Sequence, residues 1–130
     1  MSSENVEIVR RIYEEWSRGD FSNGEYYADD VEFDMVDWPA PARSRGVTAM
    51  AQTWITSLAA WDGFRSTPTD FVDRGDRVLV LNHIEARGRE SGVAVSADTA
   101  SVFTFEAGKV VRLALHWDVD AARRAAEAEG

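Results

Sequence analysis

Apolar and polar residues repeat with two different periods along the chain, and each switch of period marks an element. Near the N-terminus Val6, Val9, Tyr13 and Trp16, joined by Ile8 and Ile12, recur at steps of three and four. That spacing gives a helix one broad apolar stripe, with Ser3 as its cap and Gly19 as its end. In VEFDM the period falls to two: Val31, Phe33 and Met35 alternate with Glu32 and Asp34, the pattern of a half-buried strand. A helical period returns over 47–62, where Val47, Met50, Trp54, Leu58 and Trp61 share a stripe and Gly63 follows. After Asp73 the period is two again. Strands are predicted over 77–87, 93–105 and 109–117, divided by DRGD, GRESG and EAGK, each with a glycine that can take the positive φ of a tight turn.

The intervening segments are set by what breaks a pattern. DWPAPARSRG carries two of the three prolines, so it is expected to cross the surface as a loop, the kind of segment that often rims a pocket. FRSTPTDFVD reads as a strand, but Pro68 removes a ladder donor and confines it to an edge or a bulge. The closing DVDAARRAAEAEG is expected to be a short, exposed helix that starts at Asp118 or Asp120 and frays. The order helix, short strand, helix, then four long strands predicts an α+β domain with helices packed on one face of a curved antiparallel sheet.

Composition narrows the function classes. At 130 residues the chain is expected to be one domain with one core. With 45% apolar and 28% charged residues, and no apolar run near the ~20 residues of a membrane span, it has the profile of a soluble globular protein. The acidic, amphipathic start lacks the basic and apolar regions of a secretory signal, so a cytoplasmic location is expected. A formal charge of −9 disfavours nucleic acid and anionic membranes as partners. Zero cysteines exclude disulfides and thiolate chemistry, and two distant histidines make no metal ligand set. GRESG joins two strands and opens no helix, so it is not a phosphate cradle, and no cofactor is called for.

ENVEIVRRIYEEWSRGD, ADDVEFD, RGDRVLVL, SGVAV and VFTFEAGKVVRL stand in an order and spacing that resembles the SnoaL-like proteins of the nuclear transport factor 2 superfamily over nearly the whole chain. The resemblance implies a cone-shaped domain with an internal pocket, commonly paired as a homodimer through the outer sheet face. It does not decide function, since relatives include polyketide cyclases, steroid isomerases, epoxide hydrolases and proteins with no known chemistry. On that cone Val93, Val95, Ala97, Thr99, Ser101, Phe103 and Phe105 are expected to point inward, as are Val111, Leu113, Leu115 and Trp117. Arg112, Ala114 and His116 then point out. RVLVLNHIEAR is apolar on both parities, and matching its turn glycines to those of ketosteroid isomerase and limonene epoxide hydrolase favours Val80, Asn82 and Ile84 as inward.

Placed on those enzymes, the chain has Met35 where the isomerase has its base, with Ile12 and Ser101 where it has its tyrosine and its acid. Tyr13 and Asp34 each lie one residue away, and a one-residue slip reverses a strand's faces. The charged positions of the epoxide hydrolase fall on Asn82, Ile84 and Leu115. The histidine-tryptophan pair that SnoaL-type cyclases carry early in the last strand is answered only by HWD at 116–118, which reads as a strand end and a helix cap. His83 and Glu85 share a strand face. They read as an outward surface or interface pair with Arg87, or else as a base with its orienting carboxylate. Asp37, beside Trp38 at the expected pocket mouth, is the candidate catalytic acid or base. Tyr13, Trp16, Phe33, Met35, Trp38, Trp54, Asn82, Thr99, Ser101, Phe103 and Trp117 are the expected lining for a small apolar or aromatic organic molecule. Two functions follow: cofactor-free proton transfer driving cyclisation, isomerisation or water addition, or a non-catalytic ligand-binding or dimerisation module.

Overall fold

The computed structural model describes residues 2–20, 24–37 and 42–127. In chain order its elements are helix α1 (Ser2–Ser17), strands β1 (Tyr27–Met35) and β2 (Ala42–Arg45), helix α2 (Val47–Leu58), strands β3 (Trp61–Arg74), β4 (Arg77–Gly88), β5 (Ala94–Glu106) and β6 (Lys109–His116), and helix α3 (Val119–Glu127). The strands form one sheet in the order β2-β1-β6-β5-β4-β3. All neighbours are antiparallel except β1 and β6, which run parallel. The result is the predicted α+β cone. No helix among the described residues is long and apolar enough to cross a membrane.

The stripe on α1 does what its period requires: Val9, Ile12 and Tyr13 are buried against the concave face of the sheet, with Phe33, Val80, Phe103, Leu113 and Leu115 in the same core. On β4 the inward set is Val78, Val80, Asn82 and Ile84, as the matched turns suggested. The two-residue turn between β5 and β6 has positive φ at both central residues, 53° at Ala107 and 81° at Gly108. That backbone suits the right-handed twist of the flanking strands.

Several elements depart from the sequence expectation. Helix α2 stops at Leu58, where the Ala59 amide is shared between the carbonyls of Ile55 and Thr56. Trp61, expected on the helix stripe, instead opens β3 opposite Gly88, because strand pairing outweighs a helical period that continues by coincidence. β3 is an edge strand with a register shift between Pro68 and Asp70, as Pro68 demanded. The supposed loop contains β2, which pairs Ala42 to Arg45 with the end of β1 on the opposite edge. Beyond the prolines, ARSR has its amide donors back and can extend an edge. In β6, Val110 pairs with Phe105 and Arg112 with Thr104, so Val111 is the extra residue of a bulge. Val110, not Val111, is therefore the fully buried core residue.

The largest correction concerns α3. Expected as an exposed helix, it instead packs on the convex face, apart from the other helices, where Ala122 and Ala126 are buried on Leu79, Ala100 and Val102. The second apolar face of RVLVL, which from the sequence suggested a surface for another copy, is covered by the chain's own C-terminal helix. Asp118 caps that helix: its Oδ1 accepts from the amides of Asp120 and Ala121 at 2.9 and 3.3 Å.

Helix α2 begins after Gly46, whose φ of 94° and ψ of 154° lie where essentially only glycine is found. Its amide donates to Val31 and its carbonyl receives the first turn of α2, so the conformation joins sheet to helix. An added Cβ would sit an ordinary 3.6 Å from the Asp29 carbonyl, which leaves backbone strain as the cost. Gly46→Ala is expected to lower stability by about 1–3 kcal/mol, read as a lower urea midpoint at unchanged m-value.

Candidate functional site

The concave face of the sheet, α1 and α2 enclose an aromatic interior divided into three spaces. An inner cavity of about 20 Å³ is bounded by Tyr13, Trp16, Trp54, Phe64, Asn82 and Ser101, among others. An open cleft of about 400 Å³ lies between the C-terminal ends of α1 and α2 and β3, lined by Tyr13, Trp16, Trp54, Leu58, Phe64 and Pro68. A third space of about 30 Å³, under α2, is lined by Ile12, Glu15, Trp16, Tyr26, Tyr27, Phe33 and Trp54. Trp16 and Trp54 border all three, their ring centroids 6.2 Å apart. Phe64 meets Trp54 edge-on at 5.9 Å, and Tyr13 meets Trp16 at 5.0 Å. These two tryptophans partition the cone.

At the inner cavity the chemistry turns polar. The Tyr13 hydroxyl donates to Ser101 Oγ at 3.0 Å, and Asn82 Nδ2 donates to the same oxygen at 3.3 Å. Asn82 and Ser101 are buried on neighbouring strands in adjacent inward positions. Burial pushes the Tyr13 hydroxyl up to about 12, although the hydrogen bonds with Ser101 and Asn82 pull the other way. Tyr13 is thus a proton-bearing donor across the neutral range. Asn82 Oδ1 is buried and has no hydrogen-bond partner among the described residues. A buried carbonyl left unpaired costs about 1–3 kcal/mol, so this oxygen is an acceptor waiting for a donor.

Among the described residues, carboxylates reach only the rim of the third space, where Glu15 accepts from the Tyr26 hydroxyl at 2.9 Å and Asp20 lies nearby. The bond to Glu15 raises the Tyr26 hydroxyl. The Tyr27 hydroxyl is raised too, chiefly by burial. Among the described residues, no histidines and carboxylates are grouped so as to hold a metal ion.

Residues 9–113, more than half of the chain, match the model of the SnoaL-like domain. The chain belongs to the SnoaL-like family. No curated protein matches the sequence. Among solved structures, a nuclear transport factor 2-like protein from Burkholderia thailandensis has a TM-score of 0.81 at 22% identity, covering 92% of this chain and 95% of its own. TerC co-crystallised with polyporic acid has a TM-score of 0.77 at 21% identity, covering 96% of this chain and 99% of its own. A second nuclear transport factor 2-like protein, from Burkholderia xenovorans, has a TM-score of 0.76 at 26% identity, covering 97% and 98%.

The SnoaL-like cone brings most of the expected lining residues together. Tyr13, Trp16, Trp54, Asn82, Thr99 and Ser101 surround the inner cavity, and Phe33 borders the space under α2. Phe103 is buried behind Tyr13 and Trp16, which it meets at 6.1 and 6.3 Å, without lining the cavities described. Met35 is core, its sulfur accepting from Ser57 Oγ at 3.2 Å. Trp117 packs against the core, and Trp38 lies outside the described residues. Asp37 is exposed, and its two oxygens accept the amides of Trp117 and Asp118, tying the end of β1 to the start of α3. Asp34 faces outward between Arg112 and Arg43, at 2.9 and 3.3 Å, so the face opposite Met35 is where the neighbouring acid sits. Phe64, Ser66, Glu15 and Tyr26 escaped the sequence reading. The first two lie on the strand whose proline blurred its period; Glu15 lies in the last turn of α1, off its apolar stripe, and Tyr26 in the turn before β1, where no period applies.

HWD behaves as a strand end and a cap. His116 closes β6 on the outer face, buried, with neither ring nitrogen bonded among the described residues. Desolvation lowers its pKa; Asp37, Asp34 and Asp118 oppose the shift and Arg112 adds to it. The unfolded chain therefore binds this proton more readily than the folded one. The stability contributed by neutral His116 is full above its ordinary value near 6.5 and is lost as pH falls through the folded value. Melting curves between about pH 7.5 and 5 are expected to fall less steeply for His116→Gln than for the native chain.

Proposed function

We propose that this SnoaL-like chain binds a small, planar, oxygen-bearing organic molecule, its rings among Trp16, Trp54 and Phe64 and its polar edge on Tyr13, Ser101 and Asn82. The observation that carries this reading is the unpaired Asn82 Oδ1 beside the Tyr13–Ser101 hydrogen bond, at the inner end of an aromatic lining. A ligand hydroxyl would donate to that oxygen. Ser101 Oγ already accepts twice, so its own proton is the group to offer a ligand carbonyl. The 400 Å³ cleft is the size of ordinary small-molecule sites. TerC, of the same fold, was crystallised with polyporic acid, which supports an organic ligand here. Titration with polyporic acid and with hydroxylated and plain aromatic rings, followed by tryptophan fluorescence, is expected to show saturable quenching only by the oxygenated compounds. Asn82→Leu is expected to weaken that binding about tenfold, the scale of one buried hydrogen bond. Equal quenching by plain hydrocarbons, unaffected by Asn82→Leu, would sink the reading.

If the bound molecule is also turned over, Glu15 is the acid or base that the cavities favour over Asp37. Its carboxylate borders a space continuous with the tryptophan pair, whereas both oxygens of Asp37 are engaged by backbone amides. Glu15→Gln is expected to abolish solvent-deuterium exchange into the ligand while leaving its fluorescence titration within about twofold. Exchange that survives this change removes Glu15 from the chemistry, and binding lost with it makes Glu15 a ligand contact.

A further inference from the structure

The convex face of the sheet carries a second constellation, away from the cone. In the β4–β5 register His83 stands opposite Asp98 and Glu85 opposite Ser96, all four on the exposed side. His83 Nδ1 lies 2.9 Å from Asp98 Oδ1, and Ser96 Oγ lies 3.2 Å from His83 Nε2. Glu85 Oε2 stands 3.6 Å from the same Nε2. The pair with Arg87 expected from the sequence does not form; Arg87 donates to the Gly92 carbonyl instead. The carboxylates approach opposite ring nitrogens and so share no point at which a metal could sit.

We propose that Ser96, His83 and Asp98 form a nucleophilic serine site that accepts the acyl group of a small activated ester. Asp98 accepts a hydrogen bond from the Nδ1–H of His83, which fixes the tautomer that leaves the Nε2 lone pair facing the Ser96 hydroxyl. The hydrogen bond to Asp98 is also the main cause of the raised His83 pKa, with Glu85 adding to it. Ser96 Oγ adds to the ester carbonyl as its proton passes to His83 Nε2. The adduct collapses with cleavage of the ester C–O bond, and the leaving oxygen takes that proton from Nε2. Water then adds to the acyl carbon, giving a proton to Nε2; the bond to Ser96 breaks, Oγ recovers the proton, and the acid departs.

Three features suit the step. A groove of about 390 Å³ beside Ser96 is lined on the same face by Glu85, Arg87 and Ala94, room for a short acyl chain. β6 pairs with β5 only as far as Ala100, so among the described residues no strand covers the edge beside Ser96. All three side chains stand on a paired ladder, which fixes their spacing better than a loop could.

The test is p-nitrophenyl acetate hydrolysis by the native chain, with intact-mass and peptide mapping after a fluorophosphonate probe. Hydrolysis faster than the same concentration of free imidazole, and one adduct on Ser96, are expected. Ser96→Ala and His83→Gln should each lower the rate about a hundredfold; both positions are exposed, so the fold survives. Asp98 is a positioning residue: Asp98→Asn should slow the reaction and move its pH midpoint lower, which a purely structural role would not do. Hydrolysis by Ser96→Ala at the native rate would show His83 acting alone and overturn the proposal. A probe adduct elsewhere, such as Tyr26 or Lys109, or no rate above imidazole, would do the same.

Discussion

A hydroxyl buried in an apolar cone must find a partner, and the Tyr13 hydroxyl finds Ser101, 88 residues away. The rest of the interior is built to this contact. Turning α1 by one residue, about 100°, would carry the hydroxyl off Ser101 and leave it buried without that partner, Ser101 keeping only Asn82. Apolar packing alone is more forgiving, because Ile12 and Tyr13 are both buried and could exchange places at modest cost. The polar contact therefore selects one rotation of the helix, and with it the placement of Trp16 one turn later. Trp16 in turn sets where Trp54 and Phe103 rest.

What was legible in the sequence follows from which forces are local. The alternation in β5 was readable where its inward residues face one core, and Thr99, Ser101, Phe103 and Phe105 are buried as expected; Val93, also expected to point inward, precedes the strand and is exposed, because the core does not reach that end of the hairpin. Asn82 was placed correctly only by likeness to related strands, since both parities of β4 are apolar; the second parity answers to α3, an element whose small alanines give no strong apolar signal. The bulge at Val111 left no mark, because Val110 and Val111 are equivalent to any rule based on residue type. Site legibility split likewise. Inward strand positions could be named, but Asp37 could not be separated from a pocket acid, since its partners are backbone amides that every residue possesses.

The two faces of the sheet are closed by opposite means. The concave side is filled with rings. The convex side is covered by a helix packed through alanines over Leu79, Ala100 and Val102, and the remainder is left to ion pairs such as Arg112 with Asp34. The two histidines record this contrast: His83 stands exposed beside carboxylates that favour its charge, and His116 is buried where its charge is disfavoured.

The shared border formed by Trp16 and Trp54 has a kinetic meaning. With the rings as they stand, the inner cavity of about 20 Å³ is of the order of one water molecule. A ligand that reaches Asn82 must arrive through a conformer in which at least one indole has swung aside, merging inner cavity and cleft. Affinity is then reduced by the fraction of molecules in that open form. Association would be paced by ring motion more than by diffusion, and a bulkier or smaller side chain at either position would reset residence time as well as equilibrium binding.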